Sequence, residues 1–412
     1  MKLLVKENKG YLILVGALML ALMFSGWRTV YYQFMGNRSA SLVDFLFVLA
    51  LALLYHRSIP KYGYIYPLRQ LSKLWYLWLP LALMFSLYTN EAAPANLASS
   101  ITRYALVALS FYMLGTALVL SKAPKERLLI YLLGLALAVI SFYILVYVFT
   151  RFIYWKPFIY GAGTPLTGWT PALNYPFGSP AHAGLFLLLN LILGVGVALT
   201  LRKYYLLYFM VPVSVLEIFQ TGSRSVALFF VMGMIAFFVL ILLRGWLLKM
   251  PVIKELTYLL LSGLVAAILL FFSMDMEGER ALSIFSYNPM QLVSGEADEY
   301  RANAWRMVSA TESGAAGRAA FGMHNAYFDL WLSWGKLAAV SFVIFLLVMV
   351  GIATMLLWSN RHEEYFFSMA SFPVGLGAVI GVIYANLLMH LKFIWIYFGL
   401  ILSLHLAVRK DS

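Results

Sequence analysis

Three groups of residues in the second half of this 412-residue chain carry side chains able to do chemistry. The first is Arg224 in "FQTGSRSVALFF", a short turn between two apolar runs. The second is "EYRANAWRM", with Arg301, Trp305 and Arg306. The third is "GMHNAYFDLWLSWG", where His324 and Asn325 stand at the mouth of a long apolar stretch. A guanidinium forks onto phosphate oxygens, and the backbone amides at a helix N-terminus attract the same anions. A neutral imidazole accepts a proton from an incoming hydroxyl, or holds it. Taken separately, the arginines offer anion binding and the histidine a partner for a hydroxyl.

Each group also has a plainer reading. Arg224 could be a snorkelling interfacial arginine paired with Glu217. Residues 297–310 read as a helix lying on the surface, with Arg301 and Trp305 on one face, Arg306 on another, and Asp298 and Glu299 near enough to make a solvated, salt-bridged face. If residues 324–335 are helical, His324, Phe328, Trp331 and Gly335 form one stripe, and Asn325, Asp329, Ser333 and Lys336 the next. Asn325 then caps the helix and Asp329 sits in its first turn, which is compatible with a working imidazole. Asp275, Glu277 and Glu279 alternate with other residues but read as a solvated loop, so no metal site and no cofactor is expected. His182 reads as a helix-start residue, and His56, His362 and His405 fall on the opposite side of the membrane.

The elements that must position these residues follow from composition. The chain is 63% hydrophobic and 11% charged, with a mean hydropathy of +0.85. Such a sequence is an all-α, polytopic integral membrane protein. Apolar runs predict spans over 11–27, 42–55, 73–89, 101–120, 128–149, 181–200, 204–220, 225–243, 254–272, 335–358, 366–388 and 392–408, about twelve transmembrane helices in one membrane domain over 1–412. Lys2, Lys6, Lys9, Arg57, Lys61, Arg69, Lys122, Lys125, Arg127, Arg202, Lys203, Arg244, Lys249, Lys254, Arg409 and Lys410 then fall on one side, which predicts cytoplasmic termini. The net charge of +13 is this positive-inside signal and implies no nucleic acid. The first span reads as an anchor without a cleavage site. The absence of cysteine excludes disulfides and thiolate chemistry.

Two connections exceed the usual length, and both fall on the outer face. One is 150–180, rich in aromatic residues, glycine and proline; the other is 273–325, a large loop late in the chain that ends in the His324–Asn325 motif. Long loops in compact proteins usually carry function. The span centres are nearly free of charge, unlike those of ion-coupled transporters; Glu217, toward the outer end of its span, is the exception.

The order of these motifs is specific: an arginine in a short outer turn ("TGSRS"), a long loop with R-x-x-x-W ("RANAW"), and H-N-x-Y-F entering a helix. In this the chain resembles the O-antigen ligase and O-antigen polymerase superfamily of bacterial envelope glycosyltransferases. The motifs cover roughly 205–355 and the topology the whole chain. The resemblance implies an inverting, metal-independent transfer of a glycan from an undecaprenyl-diphosphate carrier, at the periplasmic face, to lipid A–core oligosaccharide or to another lipid-linked glycan. It assigns Arg224 and Arg301 to the diphosphate and His324 to the acceptor hydroxyl, with Arg306, Asn325, Trp305 and Tyr327 in the binding site. Phe328 stands where family members often carry leucine. The spacing of Arg306 and Gly317 fits one polymerase pattern, but its earlier partner is missing at Arg151, which favours the ligase. A flippase of lipid-linked oligosaccharide is the rival from another class; it would line a central cavity with charge.

Overall fold

The computed structural model describes residue 79 and residues 125–148, 180–249, 252–273, 282–286 and 336–357. Among them are six helices of more than one turn: α1 (Lys125–Val148), α2 (Pro180–Thr200), α3 (Leu207–Gln220), α4 (Arg224–Leu248), α5 (Ile253–Ser273) and α6 (Lys336–Leu357). Two 3-10 turns, Tyr204–Leu206 and Ser283–Ser286, complete them, and no strand occurs among the described residues. Three helices, α2, α4 and α5, are long and apolar enough to cross a membrane, so the protein is a helical membrane protein. The six helices begin and end within a few residues of the spans expected between 128 and 358. The expected spans 11–27, 42–55, 101–120, 366–388 and 392–408, and all of 73–89 but Leu79, lie outside the described residues.

The chain runs back and forth through α1 to α5, with α2 at the centre. Helices α1, α3 and α4 pack on α2, and α5 rests chiefly on α3. Small residues on α2 let its neighbours approach. A Cβ at Gly194 would collide with the Met210 side chain of α3 and come within 3.0 Å of Ala136 Cβ of α1. The buried Asn190 Nδ2 donates to the Ala136 carbonyl at 3.1 Å, tying α2 to α1 where no water competes. On α5 the buried residues Leu259, Ser262 and Ala266 make a single stripe, and the rest of the helix turns its leucines and phenylalanines outward. That is the pattern of a helix facing lipid. Helix α6 is also two-faced, with Ala339, Phe342, Phe345 and Leu346 buried and Leu337, Val340, Ile344 and Leu347 exposed.

Pairwise contacts fix which helix ends lie together. Tyr143 of α1 meets Phe186 of α2 at 6.3 Å between ring centres, and Gly184 of α2 faces Thr221 and Val226 at the α3–α4 turn. Tyr204 and Tyr208 meet Tyr258 of α5, and Gly245 of α4 abuts Val252. The end of α1, the start of α2, the α3–α4 turn and the end of α5 therefore share one end of the bundle. The α2–α3 and α4–α5 connections share the other.

Candidate functional site

Arg224 is the first residue of α4. The turn before it is short because Gly222 takes the left-handed conformation, φ 65°, that a side chain disfavours. Helix α3 closes with Thr221 N–H donating to the Ile218 carbonyl (3.2 Å) and Gly222 N–H to the Phe219 carbonyl (3.0 Å). The Thr221 hydroxyl donates to the Ile218 carbonyl at 2.7 Å and accepts from Ser223 N–H at 3.4 Å. Ser223 is then extended and its carbonyl receives the Ala227 N–H at 3.1 Å, which starts α4. Thr221, Gly222 and Ser223 are all buried.

Helix α2 presses on this turn from the side. A Cβ at Gly184 would stand 2.9 Å from Thr221 Oγ1 and 3.0 Å from Val226 Cγ1, so only glycine permits the approach. His182, two residues earlier, lies in the first turn of α2, as its sequence position implied. The turn is thus held from within by hydrogen bonds and from outside by a backbone.

The Arg224 side chain is partly exposed, yet its Nε is buried without a hydrogen-bond partner. It is not held by Glu217. That carboxylate is 3% exposed, and neither of its oxygens has a hydrogen-bond partner. The interfacial pair that sequence allowed is therefore not formed. One turn earlier on the same face of α3, Ser214 Oγ is also buried without a partner. Gln220, 4% exposed, continues the row toward the turn. A buried polar atom without a partner costs about 1–3 kcal/mol, so such a row is held where folding alone gives little return. Sequence reading noticed Glu217 but not Ser214 and Gln220. The signal was available: a polar residue at every third position of an otherwise apolar helix.

The two long connections leave from the Arg224 end. The chain exits α1 at Val148 and enters α2 at Pro180 there, and it exits α5 at Ser273 there. A short piece of the second connection, Ser283–Ser286, packs on α4, the helix that Arg224 begins. Arg301, Trp305, Arg306, His324, Asn325 and Tyr327 lie outside the described residues, as do Asp275, Glu277 and Glu279. Lys336, directly after the Gly335 that closes the histidine motif, begins α6. Comparison of the chain with family models, with curated proteins and with solved structures gave no match.

Proposed function

We propose that the protein is a membrane glycosyltransferase of the O-antigen ligase type, moving a glycan from undecaprenyl diphosphate to lipid A–core oligosaccharide at the periplasmic face. The observation that carries this reading is Arg224: a guanidinium unpaired by Glu217, in a buried turn, at the end from which both long connections leave. Such a group suits a diphosphate. The acceptor hydroxyl attacks the anomeric carbon from the face opposite the leaving group. Its oxygen forms the new glycosidic bond as the bond to the diphosphate breaks, and the diphosphate departs with that electron pair. The hydroxyl proton passes to the imidazole of His324. Charge grows on the diphosphate as the bond breaks, so Arg224 and Arg301 stabilise the transition state more than the ground state. Glu217 is the one buried carboxylate among the described residues, and it lies in the last turns of α3 rather than along a central path, which weighs against the flippase.

The test uses purified protein in liposomes with undecaprenyl-diphosphate-linked glycan, lipid A–core and EDTA, and no nucleotide. Carbohydrate-stained gels should show glycan on lipid A–core. Longer glycan still on the carrier would make the protein a polymerase. Neither product, with a donor proved active, would sink the glycosyltransferase reading and bring the flippase forward.

A further inference from the structure

The bundle end opposite Arg224 carries a second polar assembly that the proposed transfer does not use. Tyr204 stacks on Tyr258, ring centres 5.3 Å apart and planes 18° from parallel, and Tyr208 meets the same ring edge-on at 5.6 Å. Three rings from the α2–α3 connection, α3 and α5 thus make one platform. Basic residues adjoin it along the chain. Arg202 and Lys203 directly precede Tyr204; Lys254 lies one helical turn before Tyr258, on the same face of α5. Arg202 and the carboxylate of Glu255 are both near enough to act on the Tyr204 hydroxyl. With Lys249 on the adjoining connection, four basic residues stand at this end of the bundle, and all four are exposed.

The backbone holds these cations in unusual places. Helix α2 ends in a paired motif, Lys203 N–H to the Ala198 carbonyl at 2.8 Å and Arg202 N–H to the Leu199 carbonyl at 3.1 Å. That motif requires a left-handed residue, normally glycine, and Arg202 fills it at φ 55°. Lys249 does the same after α4, at φ 51°. A basic side chain stands twice, at one end of the bundle, where glycine would fit with less strain. Insertion in a fixed orientation needs positive charge on a side, but not at left-handed positions or against a ring platform across two helices. Beyond the platform the outer side of α5 is apolar and open, with Leu260, Leu261 and Leu264 exposed, and Phe209 of α3 is exposed beside Tyr208.

We propose that the Tyr204, Tyr208 and Tyr258 platform with Arg202, Lys203 and Lys254 binds the headgroup of an anionic phospholipid, whose acyl chains lie along the exposed face of α5. The cations neutralise the phosphate, the tyrosine hydroxyls hydrogen-bond it, and the apolar ridge takes the tails.

The experiment is native mass spectrometry of the full-length protein released from nanodiscs of equal phosphatidylglycerol and phosphatidylcholine. The wild type should keep phosphatidylglycerol in preference, and K203Q/K254Q should lose that preference by roughly fivefold per charge removed. K203R/K254R should retain it. Arg202→Gly separates binding from folding: it relieves the left-handed strain, so thermal stability should hold or rise while lipid retention falls. Equal retention of the two lipids by the wild type would overturn the proposal. So would unchanged preference in K203Q/K254Q, or displacement of the lipid by millimolar inorganic phosphate, which would mark a bare anion site.

Discussion

Helices α2 and α5 are equally apolar, and a hydropathy reading cannot separate them. Yet 94% of the residues in Ala183–Thr200 are buried, whereas only Leu259, Ser262 and Ala266 are buried in Ile253–Ser273. Hydropathy reports that a segment belongs in hydrocarbon; it does not report whether lipid or protein surrounds it there. The distinguishing residues are small or polar. Gly184 and Gly194 bring other helices onto α2, and Asn190 ties it to α1. Leucine and phenylalanine line the open side of α5. The helix that supports the Arg224 turn is the one with packing constraints on every side.

The sharpest test of that difference separates chemistry from support. Arg224→Ala should lower glycan transfer about a hundredfold or more, because it removes a transition-state contact. Its unfolding midpoint in detergent should match the wild type; a collapse in stability would make Arg224 a structural residue. His324→Ala should behave in the same way. Next in size, Gly184→Leu should damage both properties, costing about 1–3 kcal/mol by overpacking against Thr221 and Val226 while transfer is lost. A variant as stable and active as the wild type would mean that α2 does not hold the turn. Asn190→Leu removes one interhelical hydrogen bond and should cost about 0.6 kcal/mol, read from thermal unfolding of detergent-purified protein. The smallest effect is expected on α5: Ile268→Ala, on its exposed side, should stay within about 0.5 kcal/mol. A loss of about 2 kcal/mol or more would show that the face of α5 is covered by protein rather than lipid.

Among the described residues, helix positions were legible because apolar runs here are interrupted by charge and by turn residues. The ends were less so, for identifiable reasons. The run 225–243 stops at Arg244, but α4 continues to Leu248, since a helix keeps its backbone bonded beyond the hydrocarbon and a charge marks the solvent boundary rather than the last turn. The span expected from 204 begins as a helix only at Leu207, after the 3-10 turn that carries Tyr204. In the site, Arg224 was legible from its turn composition, "TGSRS". Its freedom from Glu217 was not: the two residues lie close in sequence, and only the rotation of α3 decides whether they meet. The Tyr204–Tyr258 stack was equally hidden, because it joins residues from two helices whose pairing no periodicity announces.

The 14 residues of α3 rise about 21 Å, and the preceding 3-10 turn adds roughly 6 Å. A hydrocarbon layer is about 30 Å thick. With the Tyr204 platform at one boundary, where tyrosines settle, the Thr221–Arg224 turn stops about 3 Å short of the other. Arg224 then lies slightly inside that boundary rather than beyond it. A water-borne phosphate would have to shed its hydration to descend to it. A phosphate carried on a polyprenyl chain already sits near the boundary and needs only to dip.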